Sequence, residues 1–223
     1  MPYSGKLISF EGVDGCGKST QMALAAARLR QSGYNVVSTL EPGGTKVGQA
    51  IRELVLHSGA AELSPLAELA LMFAARAQHI SEIILPALNS GYVILCDRFT
   101  DSTFAYQGYG RGISLKVIAD LENTLSQGLR PDLTLVLDIP PALAAKRTVD
   151  RNRSTEECPT RFEIEGLEFF SRVREGYLKI SRREPQRISV IDGQGSIEEV
   201  HNRINQCIDA FLENQRPRTS NAI

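Results

Sequence analysis

Five short runs along the chain are rich in apolar and β-branched residues: Lys6–Glu11, Asn35–Leu40, Tyr92–Cys96, Leu133–Asp138 and Arg187–Ile191. Stretches such as Val93-Ile94-Leu95 and Leu135-Val136-Leu137 leave no polar side, as expected of strands covered on both faces. Amphipathic segments with apolar residues three and four apart separate them. The alternation predicts a five-stranded parallel sheet flanked by helices, a three-layer α/β core.

Helix signals add detail. Gln21 to Leu29 has helical periodicity, and a second helix starts near Thr45. Ser64-Pro65 followed by Glu68 has the form of an N-cap, an N1 proline and a nearby acid. It opens a helix through Leu71, Phe73 and Arg76, past Ile80 toward Leu85-Pro86. Another helix begins at Ser114. Asp150 to Thr160 is polar, charged and broken by Pro159, which predicts a mobile loop. The expected organisation is a single domain over 1–214, with a lid at about 150–163 and a flexible tail over 215–223.

Composition excludes several classes. The 223 residues are 42% hydrophobic, enough to bury a full core. A net charge of −1 gives no bulk attraction to nucleic acid or to an anionic membrane, so neither is an expected partner. The four cysteines, Cys16, Cys96, Cys158 and Cys207, have no C-x-x-C spacing, and the N-terminus lacks the regions of a signal peptide. A reducing cytoplasmic setting is therefore expected. His57, His79 and His201 have no ligand spacing, so no histidine or cysteine metal site is expected. No apolar run is long enough to cross a bilayer.

Gly12-Val13-Asp14-Gly15-Cys16-Gly17-Lys18-Ser19 fits G-x-x-x-x-G-K-[ST] between a strand and a helix. At such a turn the backbone N–H groups point at phosphate oxygens, the lysine adds a charge and the serine a magnesium ligand. A bound nucleoside triphosphate is implied. Asp97-Arg98 stands just beyond a buried strand, where ligands bind in open α/β sheets. Asp97 either holds magnesium, directly or through water, or orients an acceptor phosphate, and Arg98 clamps phosphate oxygens. A plain salt bridge at the strand end is the alternative. Glu41-Pro42-Gly43-Gly44-Thr45 makes a sharp bend, with Arg52 two helical turns on. The run from Asp101 through Ser102, Thr103, Tyr106 and Gln107 to Gly112 mixes hydroxyls, an amide and aromatics suited to reading a base and sugar. Arg147, Arg151, Arg153 and Arg161 lie in the basic segment that could close over a triphosphate.

These motifs, in order and over about Lys6 to Phe211, resemble those of bacterial thymidylate kinases, members of the P-loop nucleoside monophosphate kinase superfamily. They include Leu71-Met72-Phe73-Ala74-Ala75-Arg76, Ala105-Tyr106-Gln107-Gly108, Pro131-Asp132-Leu133-Thr134-Leu135 and Arg161-Phe162-Glu163. The resemblance implies a P-loop NTPase fold with a short lid, and transfer of the ATP γ-phosphoryl group to dTMP with Mg2+. It places the donor phosphates on Gly12 through Thr20 and the deoxyribose 3′-OH on Asp14. Phe73 would stack on thymine, Arg76 and Thr103 would bond its edge, and Tyr106 would crowd the 2′ position. Arg52, Arg98, Ser102 and Gln107 are the remaining acceptor contacts. Ser19, Asp97 and Glu41 lie at the metal. Val13-Asp14-Gly15-Cys16 contains no base, so the family's catalytic charge falls to the lid, at Arg153 or Arg161. A homodimer through the long helices is implied, with Leu66, Leu69, Met72 and Ile80 as the apolar pattern. The chain departs from the family at Leu40, where many bacterial members carry arginine, and at Thr160, where aspartate is common.

Two other functions fit part of the pattern: a kinase for another nucleotide, and a nucleotide-driven switch without an acceptor. The chain lacks an N-K-x-D element for guanine, and a switch gives the second cluster no purpose.

Overall fold

The computed structural model describes residues 3–57, 63–155 and 159–214. Its strands are β1 (Lys6–Glu11), β2 (Val36–Leu40), β3 (Val93–Asp97), β4 (Leu133–Asp138) and β5 (Ile188–Asp192). All pair in parallel, in the order β2-β3-β1-β4-β5. The predicted sheet is present, with β2 starting one residue later than expected and β3 and β5 each shifted by one residue.

Successive residues of each strand face opposite sides. Leu7, Ile94 and Cys96 pack with Ile80, Ile84 and Leu88 on one side. Ile8, Phe10, Leu95 and Leu135 pack with Ala25, Ala26, Leu29, Ile204 and Ile208 on the other. This two-sided burial explains the lack of a polar face in the central strands. Helix α1 (Lys18–Gln31) and the last helix, α9 (Ile197–Asn214), lie together on that second side.

Helix α2 (Lys46–His57) is capped by Thr45, whose Oγ1 accepts from Gly48 N at 2.9 Å. Helix α3 (Pro65–His79) begins as its sequence signals predict: Ser64 is the N-cap, and its side chain accepts from Ala67 N. The helical path continues through a π-helical turn, Ile80–Ile84, into α4 (Leu85–Asn89). Pro86 cannot donate to the preceding turn, and the wider turn lets the chain pass it. After β3 come α5 (Thr100–Thr103), π-helical turns over Phe104–Gly110, and α6 (Leu115–Leu125).

Helices α7 (Pro141–Thr155) and α8 (Leu167–Arg183) flank the segment expected to be a lid. Here the structure corrects the expectation: residues 150–155 are helical. The segment contains no glycine or proline before Pro159, so a helix begun at Pro141 propagates through its charged residues. Cys158 and the 215–223 tail lie outside the described residues. Among the described residues no helix is long and apolar enough to cross a membrane.

Candidate active site

β1 sits between β3 and β4, so the chain leaves neighbouring strand ends toward different sides and opens a crevice. A cavity of about 540 Å3 occupies it. The turn after β1 supplies its floor. Gly17, at φ 99°, is the N-cap of α1, a left-handed conformation that favours glycine. Lys18 Nζ donates to the carbonyls of Gly12 and Val13, both at 3.1 Å. Asp14, Gly15, Gly17, Lys18, Ser19 and Thr20 line the cavity. The Val13 and Cys16 side chains are buried in the core beneath them.

Ser19 Oγ donates to Asp97 Oδ2 at 2.8 Å. A hydroxyl and a carboxylate beside the phosphate loop form the hard oxygen set that suits Mg2+ shared with substrate phosphates. Glu41 does not belong to this set. Its Oε2 accepts from Arg76 Nε at 2.6 Å and its Oε1 from His79 Nδ1 at 2.9 Å. Glu41 lines the same cavity as Ser19 and Asp97, but both of its oxygens are already engaged by cationic or N–H partners. His79 is fully buried, and its Nε2 meets Thr39 Oγ1 at 2.6 Å. Gly44 permits this approach, since a Cβ there would lie 2.6 Å from the imidazole. A surface or cap role is the expectation for a lone histidine such as His79, and its full burial corrects that; only its three-residue offset from Arg76 on one helix hints at a shared partner.

Arg98 follows β3 with φ 70°, an uncommon backbone conformation for a non-glycine residue and one that concentrates at functional sites. Its Nη2 donates to Asp14 Oδ1 at 2.6 Å and to the Tyr106 hydroxyl at 2.9 Å. Its Nη1 reaches Gly12 O at 3.0 Å, Ser102 Oγ at 3.1 Å and the Tyr177 hydroxyl at 3.2 Å. Burial pushes the Asp14 carboxyl up, but Arg98 and then Lys18 outweigh it and lower the pKa to about 2. Glu11 lies behind them, accepting from Phe99 N at 2.7 Å, Ser102 Oγ at 2.5 Å and the Tyr177 hydroxyl at 2.9 Å. Burial, reinforced by Asp101, raises its pKa to about 7. Tyr177 was invisible to sequence reasoning, because it comes from α8, 79 positions beyond Arg98.

Arg52 Nη1 donates to Pro42 O at 3.0 Å and lines the same cavity. Burial and then the neighbouring charge of Arg98 lower its pKa. An anion seated beside both guanidinium groups would offset the repulsion that Arg98 exerts on Arg52.

Arg76 lines the cavity, and its Nη1 donates to Thr103 Oγ1 at 3.0 Å. Phe73 does not line it. Phe73 is fully buried with Leu69 and Ile118, and the Arg76 guanidinium lies 5.2 Å from its ring centroid. Met72, one full turn before Arg76, is the cavity wall. The expected stacking surface is corrected accordingly: a spacing of four, not three, places the wall and Arg76 in line on this helix. Leu40 lines the cavity with an apolar side chain.

The lid arginines are also redistributed. Arg153 is exposed and away from the cavity, while Arg147 and Arg151, four apart on α7, line it. Arg151 pairs with Glu163, which also accepts from Asn152 Nδ2 and Thr160 N. Arg161 is buried, paired with Glu68, and donates from Nε to Val55 O at 3.1 Å. Its guanidinium therefore has no free path to a phosphoryl group, which corrects its assignment to the lid charge.

The geometry unites a phosphate loop, a hydroxyl and carboxylate that suit a divalent cation, and a second polar cluster around Arg52, Arg76 and Arg98 on the same cavity. The thymidylate kinase family model matches residues 10–204. A thymidylate kinase of Geobacter sulfurreducens is 50% identical over 199 residues, covering 87% of this chain and 92% of its own. One from Pseudomonas putida strain GB-1 is 47% identical over 213 residues, covering 96% and 99%. The crystal structure of thymidylate kinase from Ehrlichia chaffeensis superposes with a TM-score of 0.74 at 33% identity, covering 92% of this chain and 98% of that one. Sequence, sheet order and cavity agree, and the chain belongs to the thymidylate kinase family.

Proposed function

We propose that, in phosphorylating dTMP from ATP, this enzyme seats both substrates in the one cavity. The ATP phosphates lie on Gly12 through Thr20, and dTMP lies toward Arg52, Arg76 and Arg98. The observation that carries this arrangement is Arg98, which bonds a carbonyl and carboxylate of the phosphate loop together with hydroxyls of the second cluster.

Each side chain then has a task set by its surroundings. Lys18 and the loop N–H groups hold the donor phosphates, and Arg52 and Arg98 hold the acceptor phosphate in line with them. Asp14, kept ionised, accepts from the sugar 3′-OH, and the Tyr106 ring closes on the 2′ carbon. Met72 covers one face of thymine; Arg76 and Thr103 meet its edge. Ser19 and Asp97 would hold Mg2+, which would supply charge neutralisation to the phosphates when bound. Arg151, with Arg147 beside it, supplies the positive charge that grows in value as the phosphoryl group moves. No residue is required to form a covalent intermediate, because positioning and charge neutralisation supply the catalysis.

We further propose a cytoplasmic homodimer organised as one domain over 1–214. The free thiols Cys16, Cys96 and Cys207 suit a reducing compartment. Of the four positions expected at the dimer contact, Leu69 and Ile80 are buried and Met72 lines the cavity, so Leu66 remains, with Val47 and Leu54 exposed on the adjacent helix. Light scattering of the purified protein tests the dimer. A coupled ADP-release assay with dTMP, dUMP, dCMP and dGMP at equal concentration tests the acceptor. dTMP is expected to turn over fastest, and faster turnover of dCMP or dGMP overturns the arrangement.

A further inference from the structure

Glu68 is a fully buried carboxylate in the first turn of α3 that does not line the cavity. Its Oε1 accepts from Gln107 Nε2 at 2.7 Å and from Arg111 Nε at 3.5 Å. Its Oε2 pairs with Arg161 and lies 3.3 Å from Arg111 Nη2. Gln107 is itself buried but contributes to the cavity wall.

A side-chain amide has a donor end and an acceptor end, and alone it can present either to a ligand. A carboxylate only accepts. Held against two guanidinium groups, Glu68 requires the NH2 end of Gln107, which leaves the carbonyl oxygen as the end available to the substrate. A base edge that offers a ring N–H completes a hydrogen bond to that oxygen, as thymine and uracil do. Cytosine offers a ring lone pair at the same place, and two acceptors facing each other repel. Discrimination of this kind rests on an unpaired polar group in the wrong complex.

We propose that Glu68 is a positioning residue for base selectivity, acting through the orientation of Gln107, and that Arg161 serves this carboxylate. The inference rests on dTMP occupying the cavity as described above. It explains why a buried arginine from the end of the expected lid meets an acid at the start of α3. The carboxylate that sets the amide also ties down the chain leaving α7, where Arg161 N donates to Leu56 O at 2.9 Å.

The test compares kcat/KM for dTMP and dCMP in the full chain and in Glu68→Gln, Gln107→Met and the double variant. Glu68→Gln frees Gln107 to present either end, so the preference for dTMP falls by about tenfold or more, through the acceptor KM, with the ATP KM within about twofold. In the Gln107→Met background the same change shifts the preference by less than about twofold. An unchanged preference in Glu68→Gln, or an equal fall in both backgrounds, overturns the proposal. If Glu68→Gln does not fold, the Gln107 side-chain NH2 protons of the unaltered enzyme decide. They should be protected from hydrogen exchange with and without dTMP, and rapid exchange in either state overturns the proposal. The Arg76→Ala variant separates the two levels. If it leaves the dTMP KM unchanged, the cavity assignment fails; if it raises that KM while Glu68→Gln keeps full selectivity, only the role of Glu68 fails.

Discussion

Asp14 Oδ1 and Arg98 Nη2 meet at 2.6 Å, joining the phosphate loop to the end of the neighbouring strand. Asp14→Asn keeps the shape and removes the charge that Arg98 faces. The dTMP KM should rise by about tenfold, the scale of one charged hydrogen bond, and steady-state titration of dTMP at saturating ATP measures it. The pair also links stability to acid. The Asp14 pKa is about 2 in the fold against an ordinary 3.8, so its contribution is complete above the higher value and is lost as pH falls through the lower. Acid unfolding of Asp14→Asn should lack that component.

Glu11 has the opposite sign. Its pKa is raised from 4.5 to about 7, so the folded protein holds a proton that the unfolded chain releases. Its contribution is fully present below pH 4.5 and is lost as pH rises through about 7. Over that window the slope approaches about −1.4 kcal/mol per pH unit. Urea unfolding between pH 5 and 8 should show the decline in the unaltered protein and a flatter profile in Glu11→Gln; parallel profiles would refute the assignment.

Arg76→Ala removes the donors to Glu41 and Thr103 together. The dTMP KM should rise by about 10- to 100-fold, as for loss of charged hydrogen bonds, while the ATP KM stays within about twofold. Equal effects on both substrates would show that Arg76 supports the fold and not the base.

Arg151 and Arg153 lie on one helix but only Arg151 lines the cavity. Arg151→Ala should lower kcat by about 10²- to 10³-fold, the scale of one preorganised charge in a closed site. Arg153→Ala should change it by less than about twofold, as an exposed residue would. Single-turnover phosphoryl transfer distinguishes them, and a reversed order would return the catalytic charge to Arg153.

The elements were legible where a single periodicity operates. Ile8, Phe10 and Leu95 announce buried strands, and Ser64-Pro65 announces a helix start. The phosphate loop carried its chemistry in local spacing, so Lys18 and Ser19 could be placed unaided. Side chains whose partners are remote in sequence were not legible. His79 and Tyr177 acquire meaning only when β2, β3 and α8 bring Glu41 and Arg98 to them. Arg161 and Phe73 failed for a related reason. Motif order fixes which helix or turn a residue occupies, but a one-residue rotation decides whether it enters the cavity or the core. The polar run over 150–155 reads as loose because it is charged, yet it holds no glycine or proline to stop the helix begun at Pro141.

Beneath the acceptor cluster, Arg187 immediately before β5 grips both oxygens of Asp101 at 2.7 and 2.9 Å, and Thr134 Oγ1 on β4 donates to Asp101 Oδ2 and meets Ser9 Oγ on β1. Three strands thus act as the bedplate of α5. The jaw proposed to receive dTMP is bolted to the sheet and inherits its resistance to local opening. Heat or denaturant should therefore dismantle that jaw only when the whole sheet gives way.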